Sequence, residues 1–259
     1  MSATTLFFIV LAYGAGTVFV VGFGTKVTGY LRTPSRLKVP ITPAPTTNAG
    51  AAWRIAKEVL FFRSLFKGNR WTWLAGYAMH ILLAITIIRH ALVLFGTPRG
   101  ENDLSFAHMG PLFGPPIQLY WDWTFRAGPL FILAILAVLI RRFWVDRTRY
   151  ISTPADYLHL VLLIAIATSG VLMKYVFHPD VEAIHQFLFG LALFTFAPAP
   201  EAWSFLIHFS LVMALLIIFP FSKLMHMGGV FLGPMRNTPD DPRDRFRHAA
   251  LRAAAARRE

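Results

Sequence analysis

Four histidines are placed where they could do chemistry: His80, His90, His208 and His226. Each lies inside or at the end of a hydrophobic run long enough to cross a bilayer. Histidine in a membrane span is costly, so it is usually there for a function. His80 and His90 are ten residues apart on one run, and His208 and His226 are eighteen apart on another. If the two runs are antiparallel helices, the early histidine of one meets the late histidine of the other, twice over. That predicts two bis-imidazole sites stacked across the membrane. A b-type haem with two axial histidines is the simplest occupant of each.

The elements that must hold these residues follow from composition. The 259-residue chain is 56% hydrophobic and only 15% charged, which predicts an all-α integral membrane protein. There are no cysteines. This excludes disulfides, thiolate-held iron–sulfur clusters and C-x-x-C-H haem attachment. Apolar windows predict five transmembrane helices, at about 5–23, 73–95, 128–144, 157–177 and 203–225. Tryptophans 71, 73, 121, 123, 144 and 203 mark the interfaces near their ends.

The net charge of +12 is distributed by connection. Segment 24–72 has nine Lys and Arg against one acidic residue, Glu58. Segment 96–127 has Arg99 and Arg126 against Glu101, Asp103 and Asp122. Turn 141–156 has four arginines, segment 178–202 has no Lys or Arg, and tail 227–259 has seven. The alternation predicts an N-terminus outside and a cytoplasmic C-terminus. It reports topology rather than nucleic-acid binding. The first apolar run is followed, not preceded, by positive charge and has no small-x-small site, so it is expected to be a retained helix. The chain divides into a membrane domain, 1–235, and a basic cytoplasmic tail, 236–259.

Within the 24–72 connection, residues 32–48 are rich in Pro and Thr and are expected to be irregular. Residues 53–67 read as a basic amphipathic helix on the cytoplasmic interface. Membrane anchoring explains it, and a platform for a cytoplasmic partner is the sharper reading.

With this topology His80 and His226 are the inner pair, and His90 and His208 the outer. Ten residues give about 15 Å of rise and about 80° of rotation; eighteen give about 27 Å and five full turns. His208 and His226 should therefore share a helix face. The alternative for any one histidine is interhelical hydrogen bonding, the reading given to His159. Arg89, beside His90, and Lys223, three before His226, are candidates to offset haem propionate charge, with snorkelling as the alternative for Lys223.

The run His80-Ile-Leu-Leu-Ala-Ile-Thr-Ile-Ile-Arg-His90, followed by Phe-Gly-Thr-Pro98, together with His208 and Ile-Ile-Phe-Pro-Phe-Ser-Lys-Leu-Met-His226, resembles the gamma subunit of respiratory nitrate reductase. That family is a membrane dihaem cytochrome b that oxidises quinol. Lys57 to Arg70, and Gly229 to Arg243, are similar to the membrane cytochrome of the dissimilatory sulfite-reduction electron-transfer complex. The resemblance implies two haem b, menaquinol or ubiquinol as substrate, and a cytoplasmic iron–sulfur partner similar to heterodisulfide reductase. It also implies a bacterial or archaeal cytoplasmic (inner) membrane. The nitrate reductase subunit has a quinol-holding lysine in its outer loop. The corresponding stretch here, Pro116 to Arg126, has none. Arg89, Arg99, Asp103, His108, Asp122 and Arg126 are the candidates to replace it, and ordinary loop solvation is the alternative for the loop residues.

A non-redox anchor or assembly subunit would leave the depth matching unexplained, and quinone reduction would use the same parts in reverse. A transporter would favour mid-membrane carboxylates, and none is predicted. A membrane iron desaturase would need clustered H-x-x-H sets, which the sequence lacks.

Overall fold

The computed structural model describes residues 1–33, 40–95, 126–233 and 237–241, with 246, 247 and 250. Among them every regular element is helical. Among the described residues, five helices are long and apolar enough to cross a membrane.

The first, α1 (Ala3–Arg32), starts where Ser2 Oγ accepts the Thr5 N–H. It runs nine residues past the predicted end. Hydropathy falls at Lys26, but nothing there breaks the backbone ladder, so the helix emerges from the apolar zone. The expected amphipathic helix forms as two pieces, α2 (Asn48–Phe61) and α3 (Arg63–Gly68). Phe62 between them is left-handed, with φ 49° and ψ 46°. The second span is α4 (Arg70–Phe95).

The third span is α5 (Ala127–Trp144), followed by the short α6 (Asp146–Tyr150). The fourth, α7 (Pro154–Leu172), opens with proline in its first turn and a capping box between Thr153 and Asp156. It ends in a π-helical turn, Met173–Phe177. The next helix, α8 (Val181–Leu193), lies where a simple connection was expected. Asp180 caps it through the Glu182 and Ala183 N–H groups. Its thirteen residues rise about 20 Å, too little to span.

The fifth span corrects a second expectation. Helix α9 (Trp203–Ile218) stops before the predicted end, and residues 219–225 form two 3-10 turns around Pro220. His226 opens a new helix, α10 (His226–Leu232). Proline has no N–H and clashes with the preceding turn, so the α-helical ladder cannot pass it. His208 and His226 therefore do not share one continuous helix face.

Packing runs α4 on α5, α5 on α7, α7 on α9, and α9 on α1. One core joins α1, α8 and α9 through Phe8, Ile184, Phe187, Phe205, Phe209 and Met213. Another joins α5 and α7 through Phe131, Ile135 and Leu160, with Leu82 and Leu83 of α4 against it. Large apolar side chains outside these cores, such as Phe7, Val10, Leu133 and Val161, are exposed. On a spanning helix that surface faces lipid tails. At the Pro220 break, α1 comes close enough that a Cβ on Gly22 would lie 2.7 Å from the proline ring.

Candidate functional site

Helix α4 contributes two histidines, and each meets a histidine from the α9–α10 segment. The His80 and His226 ring centres are 6.0 Å apart, with planes at 79°. The His90 and His208 centres are 6.1 Å apart, with planes at 17°. These are the pairs expected from depth, although the break at Pro220, not a continuous helix, delivers His226.

The hydrogen bonds decide which ring nitrogen is presented. His80 Nδ1 lies 2.7 Å from the Gly76 carbonyl, and His90 Nδ1 lies 2.7 Å from the Thr86 carbonyl. His226 Nδ1 lies 2.8 Å from the Lys223 carbonyl. A carbonyl can only accept, so these three Nδ1 atoms carry the proton. His208 Nδ1 lies 2.9 Å from Ser169 Oγ. Ser169 donates its only hydroxyl proton to the Ile166 carbonyl. It must therefore accept from His208 Nδ1–H. All four rings keep their lone pair on Nε2, the state a metal-ligating imidazole needs.

The spacing also suits a shared metal. An imidazole nitrogen binds at about 2 Å, and its ring centre lies roughly 1 Å further, so two rings on one ion sit about 6 Å apart. No cluster of three or more metal-binding side chains exists among the described residues. The donor sets are thus two imidazoles each, which fits haem iron, whose other four ligands are its own.

Close packing supports the second pair. Gly170 follows Ser169 on α7, and a Cβ there would sit 3.3 Å from His208 Cε1. A side chain at 170 would push on the ring. At the first pair, Phe62 stands edge-on to His80, with ring centres 4.9 Å apart.

Lys223 is occupied differently from the expectation of a propionate contact. Its Nζ lies 2.6 Å from Asp156 Oδ2. The Asp156 side chain is only 3% exposed and also accepts from the Thr153 N–H and hydroxyl. Arg142 Nη1 is 3.7 Å away. This cluster ties α5, α7 and the segment carrying His226 together. Arg89 lies within electrostatic reach of Lys174 in the π-helical turn. Arg126 is exposed just before α5. Arg99, Asp103, His108 and Asp122 fall outside the described residues. His159 is buried in α7.

Sequence reasoning missed Phe62, Asp156, Ser169, Gly170 and His185. The Nε2 of His185, on α8, is buried with no hydrogen-bond partner among the described residues. Only Asp156 had a readable signal, the Thr-Pro-Ala-Asp capping pattern at 153–156.

Residues 121–238 match the family model described as nitrate reductase gamma subunit. That stretch includes His208 and His226 but not the α4 histidines. The chain is similar to the "Hdr-like menaquinol oxidoreductase cytochrome b-like subunit" of Archaeoglobus fulgidus. The two are 32% identical over 277 residues, covering 93% of this chain and 81% of the relative. The protein of the same description from Archaeoglobus profundus is 30% identical over 289 residues, covering 96% and 83%.

Proposed function

This chain belongs to the nitrate reductase gamma subunit family, and from that premise we propose that it is the quinol-oxidising dihaem cytochrome b of a membrane oxidoreductase complex. At the coarser level it is a cytochrome b-like membrane subunit of the menaquinol oxidoreductase type. One observation carries the finer reading: two histidine pairs, each about 6 Å between ring centres, joined by α4 and separated along it by ten residues.

In this reading His80 and His226 hold one b haem, and His90 and His208 the other. Haem bound there would supply one-electron transfer between the membrane faces. The chain's own part is to fix the four imidazoles. Gly76, Thr86 and Lys223 carbonyls and Ser169 Oγ each hold one Nδ1–H, which makes Nε2 a better donor and sets the ring orientation.

The basic connections favour a cytoplasmic position for the His80–His226 end. Quinol then binds near His90 and His208, on the outer side, and loses two electrons and two protons. The protons leave outward, and the electrons leave inward. The Nε2 of His185, on α8 and without a hydrogen-bond partner among the described residues, supplies a polar group at that end together with Arg89 and Lys174. The chain has no cysteine to hold a cluster of its own, so the electron acceptor is another subunit. We assign this role to a cytoplasmic iron–sulfur protein similar to heterodisulfide reductase, docked on the basic inner face. Menaquinol is the favoured donor, from the description the two relatives share.

The test is a reduced-minus-oxidised visible spectrum of the purified protein with a pyridine haemochrome count. Two b haems per chain, reduced by a menaquinol analogue, are expected. No α-band in protein made with ample haem would leave only the anchor reading. A His90→Ala variant should lose one haem and quinol oxidation together, and retention of both haems would contradict the pairing.

A further inference from the structure

We infer that Phe62 is a positioning residue for His80, pressed against that ring by a strained junction between α2 and α3. The inference rests on the proposed role of His80 as a haem ligand.

A phenylalanine at φ 49° occupies the left-handed region, where its Cβ crowds the following carbonyl. Such a residue persists only where its surroundings over-determine it, and strain of this kind gathers at functional sites. Here both flanks are fastened. The Phe62 N–H bonds the Glu58 carbonyl at 3.0 Å, and the Phe66 N–H bonds the Phe62 carbonyl at 3.0 Å. The Glu58 carboxylate spans the junction, accepting from the Ser64 N–H at 3.0 Å and its hydroxyl at 2.6 Å. Trp73, from α4, donates its indole N–H to the Phe61 carbonyl at 2.8 Å.

The half-buried ring delivered by this junction meets α4. It is edge-on to Tyr77 at 5.6 Å and to His80 at 4.9 Å. Tyr77 is itself stacked on Trp73 at 5.1 Å. His226 approaches the same imidazole with its centre 6.0 Å away. The Gly76 carbonyl fixes one edge of the His80 ring, and the Phe62 contact restrains rotation about that anchor. Three other described residues besides glycine have positive φ: His178, Phe194 and Phe196. None of them has a ring contact with a paired histidine, whereas Phe62 does.

Removing the ring should let the His80 imidazole rotate and admit water beside it. Both changes alter the electronics of a haem bound there and leave the other pair untouched. The backbone alone cannot explain the residue, because glycine would make the same turn without strain.

The experiment uses the full-length haem-loaded protein in detergent, as wild type and as Phe62→Gly, Phe62→Leu and Phe62→Tyr. Each is titrated redox-optically and examined by electron paramagnetic resonance of the ferric low-spin haems, with thermal unfolding alongside. His80→Ala identifies which signals belong to the first pair. Phe62→Gly and Phe62→Leu should shift the midpoint potential of that haem several-fold in its one-electron equilibrium, and change its resonance. Phe62→Tyr keeps the ring and should retain both signals. Glycine also relieves the backbone strain, so a shift in Phe62→Gly without loss of thermal stability separates positioning from folding. Unchanged first-pair signals in both ring-deleting variants, or a shift confined to the second haem, overturn the inference. A wild-type chain without haem would remove the proposed function, and this inference with it.

Discussion

Ser169 shows how much of the site depends on groups that never touch a cofactor. Its hydroxyl proton is committed to the Ile166 carbonyl, so its lone pair is what fixes the His208 tautomer. Ser169→Ala removes that acceptor and leaves a half-buried N–H without this partner. Outer-sphere partners of this kind are usually worth 10–100-fold in affinity. Haem retention at the second pair should fall by about that factor, with the first haem kept, as read by haemochrome titration. Asp156 does a comparable service for the first pair. It grips Lys223, whose carbonyl holds His226, and it closes the α7 capping box. Lys223 is 65% exposed, so its charge remains solvated when the partner is lost, and the ion pair itself adds little. Loss of the cap and its hydrogen bonds leaves Asp156→Ala about 1–3 kcal/mol less stable, checked by chemical unfolding in detergent. Asp156 was legible only as a helix cap, and Ser169 not at all. A serine in an apolar helix has many uses, and only the folded chain shows which histidine it faces.

At the scale of elements, the decisive feature is the interruption at Pro220. Hydropathy treats 203–225 as one span because Phe219, Pro220 and Phe221 are all apolar, and hydropathy is blind to a missing N–H. The proline itself was in plain view. Pro220→Ala would restore the N–H and allow α9 to continue into the 3-10 turns. His226 would then swing away from His80. We expect loss or strong perturbation of one haem signal and an unchanged second one, seen in the difference spectrum. The break between α2 and α3 was less legible. Nothing in Phe61-Phe62-Arg63 announces a left-handed residue, since the cause is tertiary: Trp73 of α4 reaching the Phe61 carbonyl. Helix α8 was hidden for the opposite reason. It is apolar but too short for a span, although its Asp180 cap and Glu182 were available as a start signal. The five spans and the pairing of four histidines were legible because both depend on periodicity and depth. The element ends depended on contacts.

For the whole molecule, the arrangement of charge makes a claim that can be checked directly. With no native cysteine, a single introduced thiol is a unique label. Pro179→Cys, in the acidic connection before α8, should be modified from the outside of intact cells. Tyr150→Cys, 91% exposed beside the arginine-rich turn, should react only after permeabilisation. The reverse pattern would invert the proposed direction of electron flow. The two routes between the sites also differ in kind. On one side, His80 and His90 are joined by unbroken α4. On the other, His208 and His226 are joined through two 3-10 turns. An extra residue between the α4 histidines would turn one relative to the other by about 100° and lengthen their spacing by about 1.5 Å. Both pairs could not then form together. The same insertion beside Pro220 would meet a segment already outside the helical register, where a turn can take up the slack. The interval in α4 is therefore a ruler whose length is fixed, while the opposite strand of the frame is the adjustable side, and insertions between homologous chains should accumulate there alone.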